Sequence, residues 1–151
     1  MSQSRKTLKE FGALVLTDPN IKTGSLSAVS PKVTPAPADL DDDDVTTTVA
    51  QLQAGILVMT PTVGRDVTLP TAEDMAAVLT NVGDTLDFSI INLGADTVHI
   101  TVVSPSTAIV GSDVVRDSDP TAASASGSSV FRVRMTNVSS GTEAYSTYRI
   151  A

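Results

Sequence analysis

Three stretches of this 151-residue chain alternate apolar and polar side chains with a period of two, and no other feature limits the fold as strongly. Leu86, Phe88 and Ile90 fall on one side of an extended backbone, with Asp87 and Ser89 on the other. Val98, Ile100 and Val102 oppose His99 and Thr101 in the same way, and Phe131, Val133 and Met135 oppose Arg132 and Arg134. Successive side chains point to opposite faces of a strand, so each stretch predicts a strand with one buried face. The 20 Thr, 19 Val and 17 Ser of the chain favour pleated strands and turns over helices. Residues 56–59 read as a buried strand closed by Pro61, residues 67–69 and 109–110 as short strands, and residues 145–150 as the last strand. The link 92–96 is rich in turn residues and predicts an antiparallel hairpin joining the first two alternating strands. Residues 112–128 read as a long polar loop.

Helical signals are few. Pro70 sets the approach to Thr71, which with Asp74 forms a variant of the capping box, and Glu73 and Asp74 complement a helix N-terminus. Met75, Val78 and Leu79 follow at helical spacing, so one short helix is predicted over about 72–80. Residues 49–54 allow a single turn stopped by Gly55. Six or so strands with one helix indicate a mainly-β body over residues 45–151, a β-sandwich of jelly-roll-like form.

Residues 1–44 read differently. Pro19, Pro31, Pro35 and Pro37 interrupt them, and Asp39 with the run Asp41, Asp42, Asp43 and Asp44 favours extended, solvated backbone. An extended N-terminal arm is therefore expected. Residues 1–38 carry five basic and two acidic side chains, whereas residues 39–151 carry five arginines against fifteen acids. A basic arm on an acidic body suggests that the arm contacts something anionic, and an excess of three charges is too weak for specific nucleic-acid binding. Arg5, Lys6 and Lys9 are the candidate polar contacts, and Phe11, Leu14, Val15 and Leu16 are the candidate apolar anchor.

Composition removes most chemistry. With no Cys there is no disulfide framework, thiolate metal site or thiol nucleophile, and His99 alone cannot build a paired-imidazole site within one chain. Gly-rich phosphate loops, a serine nucleophile elbow and zinc spacings do not occur, so no enzyme, cofactor or metal is expected. His99 takes an outward strand position, where an exposed or interface imidazole is the default. The aspartate run lacks the alternation and glycine turn of a calcium loop and is read as solvated charge. Arg132 and Arg134 are placed to pair with Asp87 or to stand as ordinary surface charge, and the Arg65-Asp66 pair carries no functional signal. The longest apolar run near the N-terminus, residues 13–16, is too short for a signal peptide or a membrane span.

The order of motifs across residues 48–151 is Leu69-Pro70-Thr71-Ala72, Val82-Gly83-Asp84, Phe88-Ser89-Ile90-Ile91-Asn92, Thr97-Val98, Val110-Gly111, Ser129-Val130-Phe131-Arg132 and Met135-Thr136-Asn137. This set resembles a recurring module in structural proteins of tailed double-stranded DNA phages and related large viruses. The resemblance implies a small trimeric β-sandwich that serves as a capsid decoration (cement) protein or as part of a fibre or spike. The chain is then expected to be a virion protein on the capsid exterior, assembled in the host cytoplasm, with the major capsid protein and its own copies as partners. A thin core gives a physical motive for a homotrimer, because association adds apolar burial at roughly 25 cal/mol per Å². The alternative is a host-receptor module presenting loops 104–107 and 112–128, although those loops lack aromatic side chains.

Overall fold

Strands that are apolar on one face need a second apolar surface opposite them, and this chain supplies it with two packed sheets. The computed structural model describes residues 35–94, 98–116 and 127–151, which hold nine strands and two short helices. Strands β1 (Ala38–Leu40), β3 (Ile56–Met59), β5 (Thr85–Asn92), β8 (Gly127–Asn137) and β9 (Ala144–Arg149) form a five-stranded sheet in that order. Strands β2 (Val45–Thr46), β4 (Arg65–Thr68), β6 (Ile100–Val103) and β7 (Val114–Val115) form a four-stranded sheet. The fold is mainly β and sandwich-like, as expected. Its first strand, β1, lies within the segment that composition assigned to the arm, and it pairs with β3 in the register Ala38 to Leu57 and Leu40 to Met59.

From β1 to β6 the chain changes sheet at every link. The result is a coil in which β1, β3 and β5 run parallel in one sheet and β2, β4 and β6 run parallel in the other. Antiparallel pairing enters only afterwards, as β6 with β7, β5 with β8 and β8 with β9. This overturns the hairpin expected across residues 92–96, because β5 and β6 belong to different sheets. Paired in one sheet, Phe88, Ile90, Ile100 and Val102 would share a single uncovered face; on opposite sheets they bury one another. Asn92 fixes the crossing. Its buried side chain donates to the carbonyls of Val98 (2.9 Å) and Val115 (3.3 Å), and its Oδ1 accepts from Gly94 N–H (2.9 Å). Gly94 is required there, since a Cβ would stand 2.6 Å from the Pro61 carbonyl oxygen.

Both helices lie on links that return from the four-stranded to the five-stranded sheet. Helix α1 (Val49–Gln53) starts at a complete capping box: Gln51 N–H donates to Thr48 Oγ1 (3.2 Å) and Thr48 N–H to Gln51 Oε1 (2.8 Å). Gly55, at φ +83°, ends it where a side chain would be strained. Helix α2 (Ala72–Ala76) begins with Asp74 N–H donating to Thr71 Oγ1, but it stops short of the expected residue 80. Of the three apolar residues on its predicted face, Met75 and Leu79 are buried while Val78 is 43% exposed, so burial does not extend the helix by a further turn.

The core lies between the sheets. Phe88 and Phe131 are cross-strand partners whose rings stack with centroids 5.6 Å apart, and Leu57, Met59, Ile90, Val133 and Met135 surround them opposite Val67, Ile100, Val102 and Val115. Tyr145 is fully buried, its hydroxyl donates to the Pro70 carbonyl (2.7 Å), and burial pushes its pKa up to about 12.

The outer edge of β9 is closed by the segment that follows β6. Tyr145 N–H donates to Ser106 Oγ, Thr107 Oγ1 donates to the Tyr145 carbonyl, and Val110 exchanges hydrogen bonds with Thr147 and Arg149. Gly111, at φ +103°, allows this approach, since its Cβ would lie 3.1 Å from Arg149 Cβ. Gly111→Ala should therefore loosen the strap and speed amide hydrogen exchange at Tyr145 and Arg149, while the inner strand β5 keeps its protection. Phe88→Ala should cost about 3–5 kcal/mol, read as a lower urea midpoint with the slope unchanged.

Candidate functional site

Arg5, Lys6, Lys9, Phe11, Leu14, Val15 and Leu16, the residues expected to contact a capsid, all lie outside the described residues. On the body, charged side chains gather where the links after β1 and β3 meet. Four successive aspartates repel one another unless donors reach them, and the coil brings donors from the link after β3 and the start of β4. Thr62 N–H and Arg65 Nε donate to Asp42 Oδ1 at 3.1 and 2.8 Å, and Thr62 Oγ1 donates to Asp42 Oδ2 at 2.6 Å. Asp44 Oδ1 accepts from Asp66 N–H (2.8 Å), Asp43 Oδ1 accepts from Asp44 N–H (2.8 Å), and Arg65 Nη1 stands 3.6 Å from Asp43. The run is exposed, as expected, and it also acts as a polar staple between the link after β1 and the segment 62–66, with Arg65 at its centre.

These bonds set the chemistry of the staple. The Thr62 hydroxyl, then Arg65 and the Thr62 N–H, hold Asp42 at a pKa of about 2, below its ordinary 3.8. A carboxylate ionised throughout the neutral range, with both oxygens directed at donors, is suited neither to general-base work nor to holding a cation. Sequence reading missed the staple because its partners are separated by 20 to 23 residues. The one available signal was a lone arginine in an otherwise acidic stretch.

Elsewhere the charged groups also serve structure. Asp87 and Arg132 face each other across β5 and β8 in a bidentate pair, with both contacts at 2.6 Å, and the Arg132 hydrogen bond lowers the Asp87 pKa. Arg149 reaches across to the Val114 carbonyl (2.7 Å). The half-buried His99 ring lies over Gly64, where a Cβ would come within 3.2 Å of it.

Two surface hollows are lined by described residues alone. One of about 300 Å³ lies beside the β9 strap, lined by Val103, Ser104, Ile109 and Asp113 among others; the second, of about 370 Å³, lies between the helix starts, lined by Thr46, Thr47, Thr48, Pro70 and Asp74. Each holds a single carboxylate and no His, Lys or Arg, which leaves no acid–base pair in either. Among the described residues no three His, Asp or Glu converge as metal ligands, and no helix is long and apolar enough to cross a membrane. Comparison with family models, with curated proteins and with solved structures finds no match to the chain.

The staple gives a pH dependence with a definite sign. Asp42 has a lower pKa folded than unfolded, so its contribution is complete above about pH 4 and is lost as pH falls toward 2. Thermal unfolding followed from about pH 6 to about pH 2 should show wild type losing stability over that window. Asp42→Asn should start lower and lose less; parallel curves for the two proteins would refute the assignment.

Proposed function

We propose that this chain is a virion structural protein, a capsid decoration or cement protein that binds the capsid exterior as a trimer. Its N-terminal arm staples neighbouring major capsid subunits. The observation that carries this reading is the division of charge: five basic against two acidic side chains over residues 1–38, and five against fifteen over the rest. An acidic body stays in solvent and repels nucleic acid, while a basic arm with an apolar anchor seeks an acidic protein surface. Arg5, Lys6 and Lys9 supply the charge, and Phe11, Leu14, Val15 and Leu16 the apolar anchor. The ordered motifs of residues 48–151 support the same reading through their resemblance to phage structural modules.

The mechanism is multivalent. Once one arm of a trimer is bound, the other two search a small volume, so three weak contacts act at high effective concentration. Neither a cofactor, a membrane nor nucleic acid takes part. The protein assembles in the host cytoplasm and remains on the finished particle.

Deletion of residues 1–34 spares β1 and should leave a folded body whose co-sedimentation with capsids falls by on the order of a hundredfold. Phe11→Asp with Leu14→Asp in the full chain should have the same effect. Capsid binding retained by both proteins refutes the arm mechanism, and binding to host cells in place of capsids would favour a receptor module.

A further inference from the structure

The two sheets present unlike faces to solvent. The outward residues of the four-stranded sheet are Thr46, Asp66, Thr68, Thr101, Val103 and Val114, mostly polar and half-buried or exposed. On the five-stranded sheet the outward positions of β3, β5 and β8 place Val58 beside Ile91 and Ile56 beside Ser89, which in turn is beside Val130. Ile150 N–H donates to the Val130 carbonyl and extends that row. Ile56, Val58, Ile91, Val130 and Ile150 therefore form one apolar patch, in which Ile56 is 39% and Ile150 51% exposed. The two described helices lie on links between the sheets.

We propose that copies of this chain pack on one another through the outer face of the five-stranded sheet. The inference rests on the oligomeric part of the reading above and gives it a surface. Charge selects the occupant. Of the five body arginines, Arg65 is turned to Asp42, Arg149 to the Val114 carbonyl, and Arg116 follows β7 of the other sheet, while Arg132 and Arg134 stand on this face. The acids on the same face are Asp39 and Asp87, so it is electrically balanced on a body with fifteen acids to five arginines. A second copy carries the same acidic excess and is repelled by the remaining surface, but it meets balance here. The face is also self-complementary. Arg134 makes no ion pair among the described residues, and the Asp87–Arg132 pair is about half exposed, so arginines of one copy can meet aspartates of the next around an apolar centre.

The test uses the full chain in sedimentation velocity and native mass spectrometry from about 1 to about 100 μM. Wild type should assemble. Ile56→Glu and Ile150→Glu, both at exposed positions, should weaken association by more than about tenfold with unchanged circular dichroism, because each buries an unpaired charge at the contact. Arg134→Glu should do the same without touching the apolar patch, and Val103→Glu on the opposite sheet should not. A wild-type monomer across this range overturns the proposal, including a monomer that Ile150→Glu destabilises because the chain covers its own face. Assembly that survives the Ile56, Ile150 and Arg134 changes also overturns it. Assembly through this face without particle binding would remove the capsid reading and leave the surface standing; particle binding by a monomer would do the reverse.

Discussion

Burial of one half-apolar sheet against another is the constraint on which the rest of this structure depends. Neither sheet is apolar on both faces, and among the described residues neither has a long helix to cover it, so the two sheets bury each other. Crossing from sheet to sheet at every link from β1 to β6 meets that demand with strands of two to eight residues. Parallel neighbours then follow from the winding, because every second strand returns to the same sheet in the same direction. Where parallel sheets usually need long helical crossovers, the opposite sheet here supplies the return path.

The polar groups are arranged to permit that winding. Asn92 satisfies itself across the two sheets at the one crossing where the backbone passes closest to Pro61. Asp42 and Arg65 tie together two links on neighbouring turns of the coil, so aspartates that would repel one another become a brace. Tyr145 carries the same principle into the core, where its hydroxyl finds the one carbonyl that its burial demands.

How far the sequence discloses all this depends on the distance over which each signal acts. Phe88, Phe131 and their alternating neighbours announce a strand and its buried face, because that information sits two residues apart. Thr71 and Gly55 announce helix ends for the same reason. The pairing partner of β5 is not legible, since alternation states which face is buried and says nothing about which strand lies beside it. Asn92 reads as a turn residue from its neighbours and becomes a cross-sheet anchor only once Val98 and Val115 arrive. Strands β1, β2 and β7 have two or three residues each, too few to show a period. The staple hides in the same way, because Arg65 and Asp66 look ordinary until the coil brings them to Asp42 and Asp44.

The winding also fixes an order of completion. In the five-stranded sheet β5 stands between β3 and β8, and β8 begins 35 residues after β5 ends. While the chain is being synthesised, β5 remains an edge strand until residues 127–137 have left the ribosome, and Phe88 lacks its stacking partner for the same interval. The longest strand of the coil, which carries Phe88 and Ile90 of the core, stays open on one side until then, so the hazard of this fold lies in the time before β8 arrives rather than in the finished sandwich.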